Sequence, residues 1–237
     1  MKLSAPVYHL KRRAKLLSRK EKIPLHEALG RIALKEGFGS WGLLIAKAPA
    51  VTATTRLYAR MEPGDMVLVG ARPGHGKTLL SLELAAEAMR SGKRSVFFTL
   101  EYTQRDIADR FKDIGIDATR FAGLFEFDNS DAMAADYIME RLALALPGTL
   151  VVIDYLQLLD QKRENPELMV QVRALKSFAR DRGLIMVFIS QIDRSYDPSR
   201  KSCPDLNDVR LPNPLDLGLF NKTCFLNDGE IQFQATG

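Results

Sequence analysis

An apolar run that passes through a glycine-rich bend straight into a helix-forming stretch constrains this chain more than anything else in it. Val67 to Leu80 reads VLVGARPGHGKTLL. The context of a strand, then Gly76-Lys77-Thr78, then a helix is the one a phosphate-binding loop requires. Gly74 and Gly76 free backbone N–H groups to point inward without a Cβ in the way. The helix that follows, read from Thr78 to Arg90 and ended at Gly92, offers its positive N-terminal end to an anion. Lys77 is expected at the β- and γ-phosphates, and the Thr78 hydroxyl at Mg²⁺. The expected nucleotide contacts are Ala71, Arg72, Pro73, Gly74, His75, Gly76, Lys77, Thr78 and Leu79, with His75 a spacer in the loop. One departure stands out: Ala71 occupies the first glycine position of GxxxxGK[ST], with Gly70 before it.

The rest of the chain alternates in the same way. Met66–Val69, Ser95–Leu100, Leu150–Ile153 and Leu184–Ser190 read as strands, and Phe121–Phe127 as a further one. Thr103 with Asp106 forms a capping box for a helix ended at Gly115. Ser130 is expected to cap a helix that stops at Pro147-Gly148, and Asn165-Pro166-Glu167 to open one closed by Gly183. A polar, proline-rich stretch runs from Asp193 to Pro214. Leu217–Phe220 and a hairpin around Asn227-Asp228-Gly229 follow. Such alternation predicts an α/β fold with a mostly parallel central sheet flanked by helices.

Hydrolysis needs a metal holder, a group that orients water and neutralisation of charge at the γ-phosphate. Three strand ends supply acidic and polar groups, at the edge where open α/β sheets bind ligands. Asp154 ends the apolar run LVVID, an expensive place for an acid unless it faces a cation. Glu101 follows FFTL and is the expected general base. Gln191 ends FISQ and is placed to sense the γ-phosphate.

Charge is unevenly distributed. Residues 1–60 hold 13 Lys and Arg with three Glu, whereas the remaining 177 hold 21 basic and 26 acidic residues. A boundary is expected near 60, where Met61-Glu62-Pro63-Gly64-Asp65 turns into the first strand, giving a basic helical segment over 1–60 and an ATPase domain over 61–237. Leu25, Ala28, Leu29, Ile32 and Ala33 recur at helical spacing, Gly37 stops that helix, and Ser40 caps a short one after it. The densest basic tract, KRRAKLLSRKEK, has seven positive residues and one Glu. It reads either as a solvated helix face or as an arm for a polyanion. No apolar run reaches the roughly 18–20 residues of a membrane span, and the N-terminus lacks a secretory pattern. Cys203 and Cys224 form neither a metal pattern nor a disulfide framework. A cytoplasmic setting with no membrane contact is the expectation.

Taken together, GARPGHGKT, TLEYTQRDIADR, VVIDYLQLL and ISQIDR resemble the ATPase domain of the DnaB family of replicative hexameric helicases, within the RecA-like superfamily. The resemblance covers about residues 60–226 and includes the alanine at the first glycine position. It implies a RecA-like core that binds ATP and Mg²⁺, with Lys77 and Thr78 at the triphosphate, Glu101 as base, Asp154 assisting the metal and Gln191 as sensor. It further implies single-stranded DNA as partner and a homo-oligomeric ring or filament. Arg194, Tyr196, Arg200, Lys201 and Arg210 lie where the family's DNA-facing loop falls. The first quarter does not resemble that family's helical collar, and the C-terminal stretch lacks the Lys-x-Arg that serves neighbouring subunits as a finger. Lys222 is the nearest substitute, with Arg194 a further candidate. These departures keep a second reading open, a regulatory ATPase that switches a protein partner.

Overall fold

Alternating strand and helix segments assemble into one seven-stranded sheet in the computed structural model, which describes residues 7–47, 52–117, 121, 123–160, 164–211, 213–227 and 230–235. The chain divides into two compact units, Met1–Leu57 and Tyr58–Gly237.

The first unit contains helices α1 (Val7–Glu21), α2 (Leu25–Lys35) and α3 (Trp41–Lys47), and α4 (Ala53–Tyr58) lies at the junction between the units. Leu10 and Ala14 of α1, Ala28, Ile32 and Ala33 of α2, Phe38 and Leu44 form its buried core, with Leu17, Leu29 and Trp41 packed against it. Gly37 takes a positive φ of 82° after α2. The N–H of Leu43 donates to Ser40 Oγ at 3.2 Å, so Ser40 caps α3 as its sequence position predicts.

The second unit carries strands β1 (Met66–Ala71), β2 (Ser95–Thr99), β3 (Phe125–Asp128), β4 (Leu150–Asp154), β5 (Ile185–Gln191), β6 (Lys222–Asn227) and β7 (Glu230–Ala235). Their order is β3-β2-β4-β5-β1-β6-β7, parallel throughout except for the antiparallel pairing of β6 with β7. Between them run α5 (Lys77–Arg90), α6 (Gln104–Asp113), α7 (Ala135–Arg141) and α8 (Leu168–Arg182). The central strands are apolar on both faces, as a sheet covered on both sides demands. Met66, Leu68, Val151, Ile153, Met186 and Phe188 form one core with α7 and α8. The alternate residues Val67, Val69, Val152 and Val187, all fully buried, point to the other face. There α5 meets β1, β2, β4 and β5.

Two boundaries differ from the sequence reading: β3 starts at Phe125, not Phe121, and α7 is cut short. Helix α7 is shorter than expected, because Ser130 Oγ accepts from the N–H of Ala132 in a local turn and leaves the helix start untouched. The buried Gln171 of α8 supplies what is missing. Its Oε1 accepts from the N–H of Ala135 at 2.9 Å, and its Nε2 donates to the Leu159 and Pro166 carbonyls. The segment Leu217–Leu219 is a 3-10 turn. Residues 228–229, the expected hairpin turn, lie outside the described residues, but the pairing of Asn227 with Glu230 fixes the register on either side. Both cysteines are free; burial pushes the Cys224 thiol up to about 12, which makes it inert. Among the described residues no helix is long and apolar enough to cross a membrane.

Candidate nucleotide-binding site

The strand register determines which groups meet. Thr99 on β2 is level with Asp154 on β4, Asp154 with Ile189 on β5, and Gln191 on β5 with Ala71 on β1. The C-terminal ends of four adjacent strands therefore bring Ala71, Thr99, Asp154 and Gln191 to one edge, with Glu101 two residues beyond Thr99.

At that edge β1 leads into the bend. Gly74 and Gly76 adopt φ of +80° and +85°, a region that costs any L-residue, and open space surrounds the position of an added Cβ at both. Gly70 serves a different purpose. A Cβ there would lie 2.7 Å from the ring of Phe225 on β6, so this glycine lets the neighbouring strand's side chain close over β1. The backbone of Ala71 is buried strand and its carbonyl accepts from the Ile192 N–H at 3.2 Å. Helix α5 begins at Lys77 with Gly76 as a left-handed N-cap and no side-chain cap, which leaves its first-turn amides to an anion. Leu79 stays 39% exposed on the outer side of that turn.

Asp154 is fully buried. Its Oδ2 accepts from the Thr78 hydroxyl at 3.1 Å, while Oδ1 is buried with no hydrogen-bond partner among the described residues. Burial pushes its pKa up to about 6, opposed by the Thr78 hydrogen bond, raised further by the Glu101 charge and lowered by Lys77. An orphaned carboxylate oxygen beside a hydroxyl at a helix start is a fitting donor set for a hard divalent cation. No group of three or more His, Cys, Asp or Glu among the described residues could hold a metal alone. That suits magnesium, which takes one or two protein oxygens and completes its shell with phosphate and water.

Glu101 is exposed, and its N–H donates to Thr99 Oγ1 at 3.1 Å, fixing the turn off β2. Thr103 and Asp106 form the predicted capping box that starts α6. From α6, Arg110 lies 4.3 Å over the Tyr102 ring.

Gln157 escaped the sequence reading. It sits in the 3-10 turn Leu156–Asp160 after β4, among buried leucines. Its Nε2 donates to Ser190 Oγ at 3.3 Å and to the Arg210 carbonyl at 2.8 Å. The Arg210 N–H in turn donates to the Gln191 carbonyl at 2.8 Å, and Ile192 bridges Val209 beside it. One residue of the long polar loop is thus gripped on both sides, by the turn that follows β4 and by β5. An amide inside YLQLL was the available signal, since a polar side chain in an apolar run needs buried partners.

The remaining expected residues part company. Tyr196, expected at a nucleic-acid base, is 5% exposed and donates its hydroxyl to the Lys201 carbonyl at 2.7 Å, so its ring is core. Lys201 pairs with Asp205 and Asp208, both at 2.6 Å, and Arg200 with Asp197 at 3.6 Å. Arg194 and Arg210 are exposed with no ion pair among the described residues. Arg72 of the bend faces this loop. Asp197 is held below the usual carboxylate range first by hydrogen bonds from Ser199 and also by the Arg72 charge. Lys222, expected as a finger for a neighbour, is at the opposite end of the sheet. It is level with Val67, about 13 Å down the strand from Ala71. Its side chain is 12% exposed, and its ammonium is committed to the Asp65 carboxylate and to the Arg60 carbonyl. Asn221 completes that cluster, donating to Asp65 at 2.7 Å and accepting from the Met66 N–H at 2.7 Å.

Comparison with known proteins agrees with this fold. The family described as "ATPase: KaiC" matches residues 56–203, more than half of the chain. The replicative DNA helicase DnaB of Leifsonia xyli subsp. xyli is 28% identical over 223 residues, 79% of this chain and 48% of that protein. The DnaB helicase of Mycoplasma genitalium is 25% identical over 190 residues, 65% of this chain and 41% of that protein. The chain thus spans less than half the length of these curated relatives. Among solved structures, a DnaB-like replicative helicase studied with its primase interactions aligns with a TM-score of 0.59 at 19% identity, covering 95% of this chain and 73% of that one. A second solved structure, of an ATPase domain alone, aligns at 0.57 and 18% identity, covering 89% of this chain and 93% of its own. Both share the fold. The second unit therefore has the fold of these helicase ATPase domains, and the chain belongs to the KaiC ATPase family.

Proposed function

We propose that this chain is the ATP-hydrolysing motor of a DnaB-like DNA helicase that works as a homo-oligomer on single-stranded DNA in the cytoplasm. Residues 71–79 wrap the triphosphate, with first-turn amides of α5 turned to it, Lys77 meets the β- and γ-phosphates, and Gly74 and Gly76 supply the backbone geometry. Thr78 and Asp154 would hold magnesium, which when bound neutralises charge between those phosphates. Glu101 accepts a proton from the attacking water, and Gln191 hydrogen-bonds the γ-phosphate or that water. Arg194 and Arg210 remain free to meet DNA phosphates, and a finger residue comes from another surface or another chain.

The observation that carries the reading is the Asp154 carboxylate. A buried oxygen without a partner among the described residues, in a carboxylate bonded on its other side to the hydroxyl that opens α5, is costly in a protein that binds no cation there. The grip on Arg210 supports coupling. A shift of Gln191 at the γ-phosphate displaces the Arg210 N–H, and the long loop moves with it.

Steady-state ATP hydrolysis with and without single-stranded DNA, read beside particle mass in Mg·ATP, tests this. Stimulation by DNA together with a ring-sized particle is expected. A DNA-independent rate from a monomer sinks the motor, and a stable complex with a protein partner under those conditions would favour a regulatory switch.

A further inference from the structure

The basic tract at the N-terminus is the strongest charged feature that the ATPase site leaves unused. It lies on α1, whose inward face is set by Leu10, Ala14 and Leu17, one helical turn apart. At 100° per residue, Lys11, Lys15 and Arg19 form a row on the outward face, with Arg13 and Lys20 flanking it on the far side of Leu16. All five basic residues are exposed, and Leu16 between them is 57% exposed. No ion pair involves any of the five among the described residues. The acids close to hand, Glu21 and Glu27, are both taken by Arg31, at 2.6 and 2.7 Å. Like charges four apart on a helix repel, so the Lys11–Lys15–Arg19 row opposes folding of α1 by itself. A counter-charged partner removes that penalty.

The same balance is absent from the second unit. Residues 58–237 hold 22 basic and 26 acidic side chains, whereas residues 1–57 hold 12 basic residues and three Glu. In the long loop Lys201 and Arg200 are already neutralised within the loop, and Tyr196 is buried. The row on α1 spans about 12 Å at 1.5 Å per residue, a length over which duplex DNA presents about seven phosphates. A bilayer would need the apolar face of the helix, and Leu10, Ala14 and Leu17 are turned into the three-helix core.

We infer that the outward face of α1, through Lys11, Arg13, Lys15, Arg19 and Lys20, is a sequence-independent contact for the phosphate backbone of a nucleic acid. It holds the strand by charge without reading bases, and it acts without nucleotide. It extends the helicase reading by giving the chain a tether outside the ATPase unit, but it does not require that reading.

The test uses the full chain and a labelled oligothymidine in the absence of ATP, with anisotropy read at about 50 to 200 mM salt. The wild type is expected to bind with a steep salt dependence. Changing Lys11, Lys15 and Arg19 together to Gln keeps helix propensity and removes three cations. Affinity at low salt should fall at least tenfold, and the slope of log K against log salt by about two. Exchanging the three among Lys and Arg should leave both values unchanged, as should Lys77→Ala. Equal binding by the Gln variant, or loss of binding only when Arg194 and Arg210 are changed, overturns the inference. So does wild-type binding to phosphatidylglycerol vesicles as tight as to the oligonucleotide. If binding follows the α1 charges while ATP hydrolysis ignores DNA, the tether stands and the motor reading falls.

Discussion

Lys222→Ala separates two roles that sequence alone leaves tangled. As a finger for a neighbouring subunit, the lysine would matter only to hydrolysis in the assembled state. Its position makes it an internal partner instead: side-chain exposures are 12% for Lys222 and 6% for Asp65. Removing the ammonium leaves the Asp65 carboxylate in a dry site with the Asn221 amide and the Glu62 N–H as its remaining donors. Breaking a buried pair from one side costs about 3–5 kcal/mol, much of it the uncompensated charge. Against a typical domain stability of about 5–15 kcal/mol, that is a large fraction. Urea denaturation of the nucleotide-free chain, followed by far-ultraviolet circular dichroism, should show a lower midpoint with an unchanged slope. The double variant Asp65→Asn with Lys222→Met should recover most of the loss, because neither member is then left charged. A Lys222→Ala protein that unfolds at the wild-type midpoint yet loses hydrolysis only when assembled would refute this argument and restore the finger.

Three further outcomes follow from the site. Glu101→Gln should bind Mg·ATP as the wild type does in calorimetry while its turnover drops by about 10²–10⁴-fold; retained turnover means another base acts. Gln157→Leu should leave ATP binding intact but loosen the loop. It gives up two hydrogen bonds of about 1 kcal/mol each, and amide exchange at Arg210 should speed up about tenfold or more, which mass spectrometry reads directly. Asp154 carries a pH signature. A carboxyl raised to about 6 favours its protonated form in the folded state, so its effect on stability appears as pH rises from about 4, the unfolded value, through 6. The nucleotide-free wild type should lose about 2–3 kcal/mol over that window relative to Asp154→Asn. Parallel pH profiles of their melting temperatures would contradict the orphaned carboxylate.

What the sequence made legible was local. The bend at Gly74–Thr78 announces itself because strand, glycines, lysine and helix start are contiguous, and the Thr103–Asp106 box because its two halves lie three residues apart. Asp154, Glu101 and Gln191 could be placed at strand tips because apolar runs end there. The misreadings came from contacts between distant segments. Ser130 has the chemistry of a cap, but Gln171 on another helix serves the start of α7. Tyr196 looked like a loop residue ready to stack, and only the folding of the loop back on Lys201 buries it. Lys222 is the nearest substitute for the family's Lys-x-Arg in sequence, but which end of a strand a residue occupies depends on register, which no local pattern reveals.

The clasp around residue 210 has a consequence for how such a loop can change. Both hydrogen bonds that hold it use main-chain atoms, one N–H and one carbonyl, so the anchorage is indifferent to which side chain the position carries. Proline alone, lacking the N–H, would release the hold on the β5 side. The guanidinium that projects into solvent can therefore be exchanged by mutation to suit a new partner while the mechanical link back to the sheet persists. Anchoring through the backbone separates what the loop touches from how it is pulled.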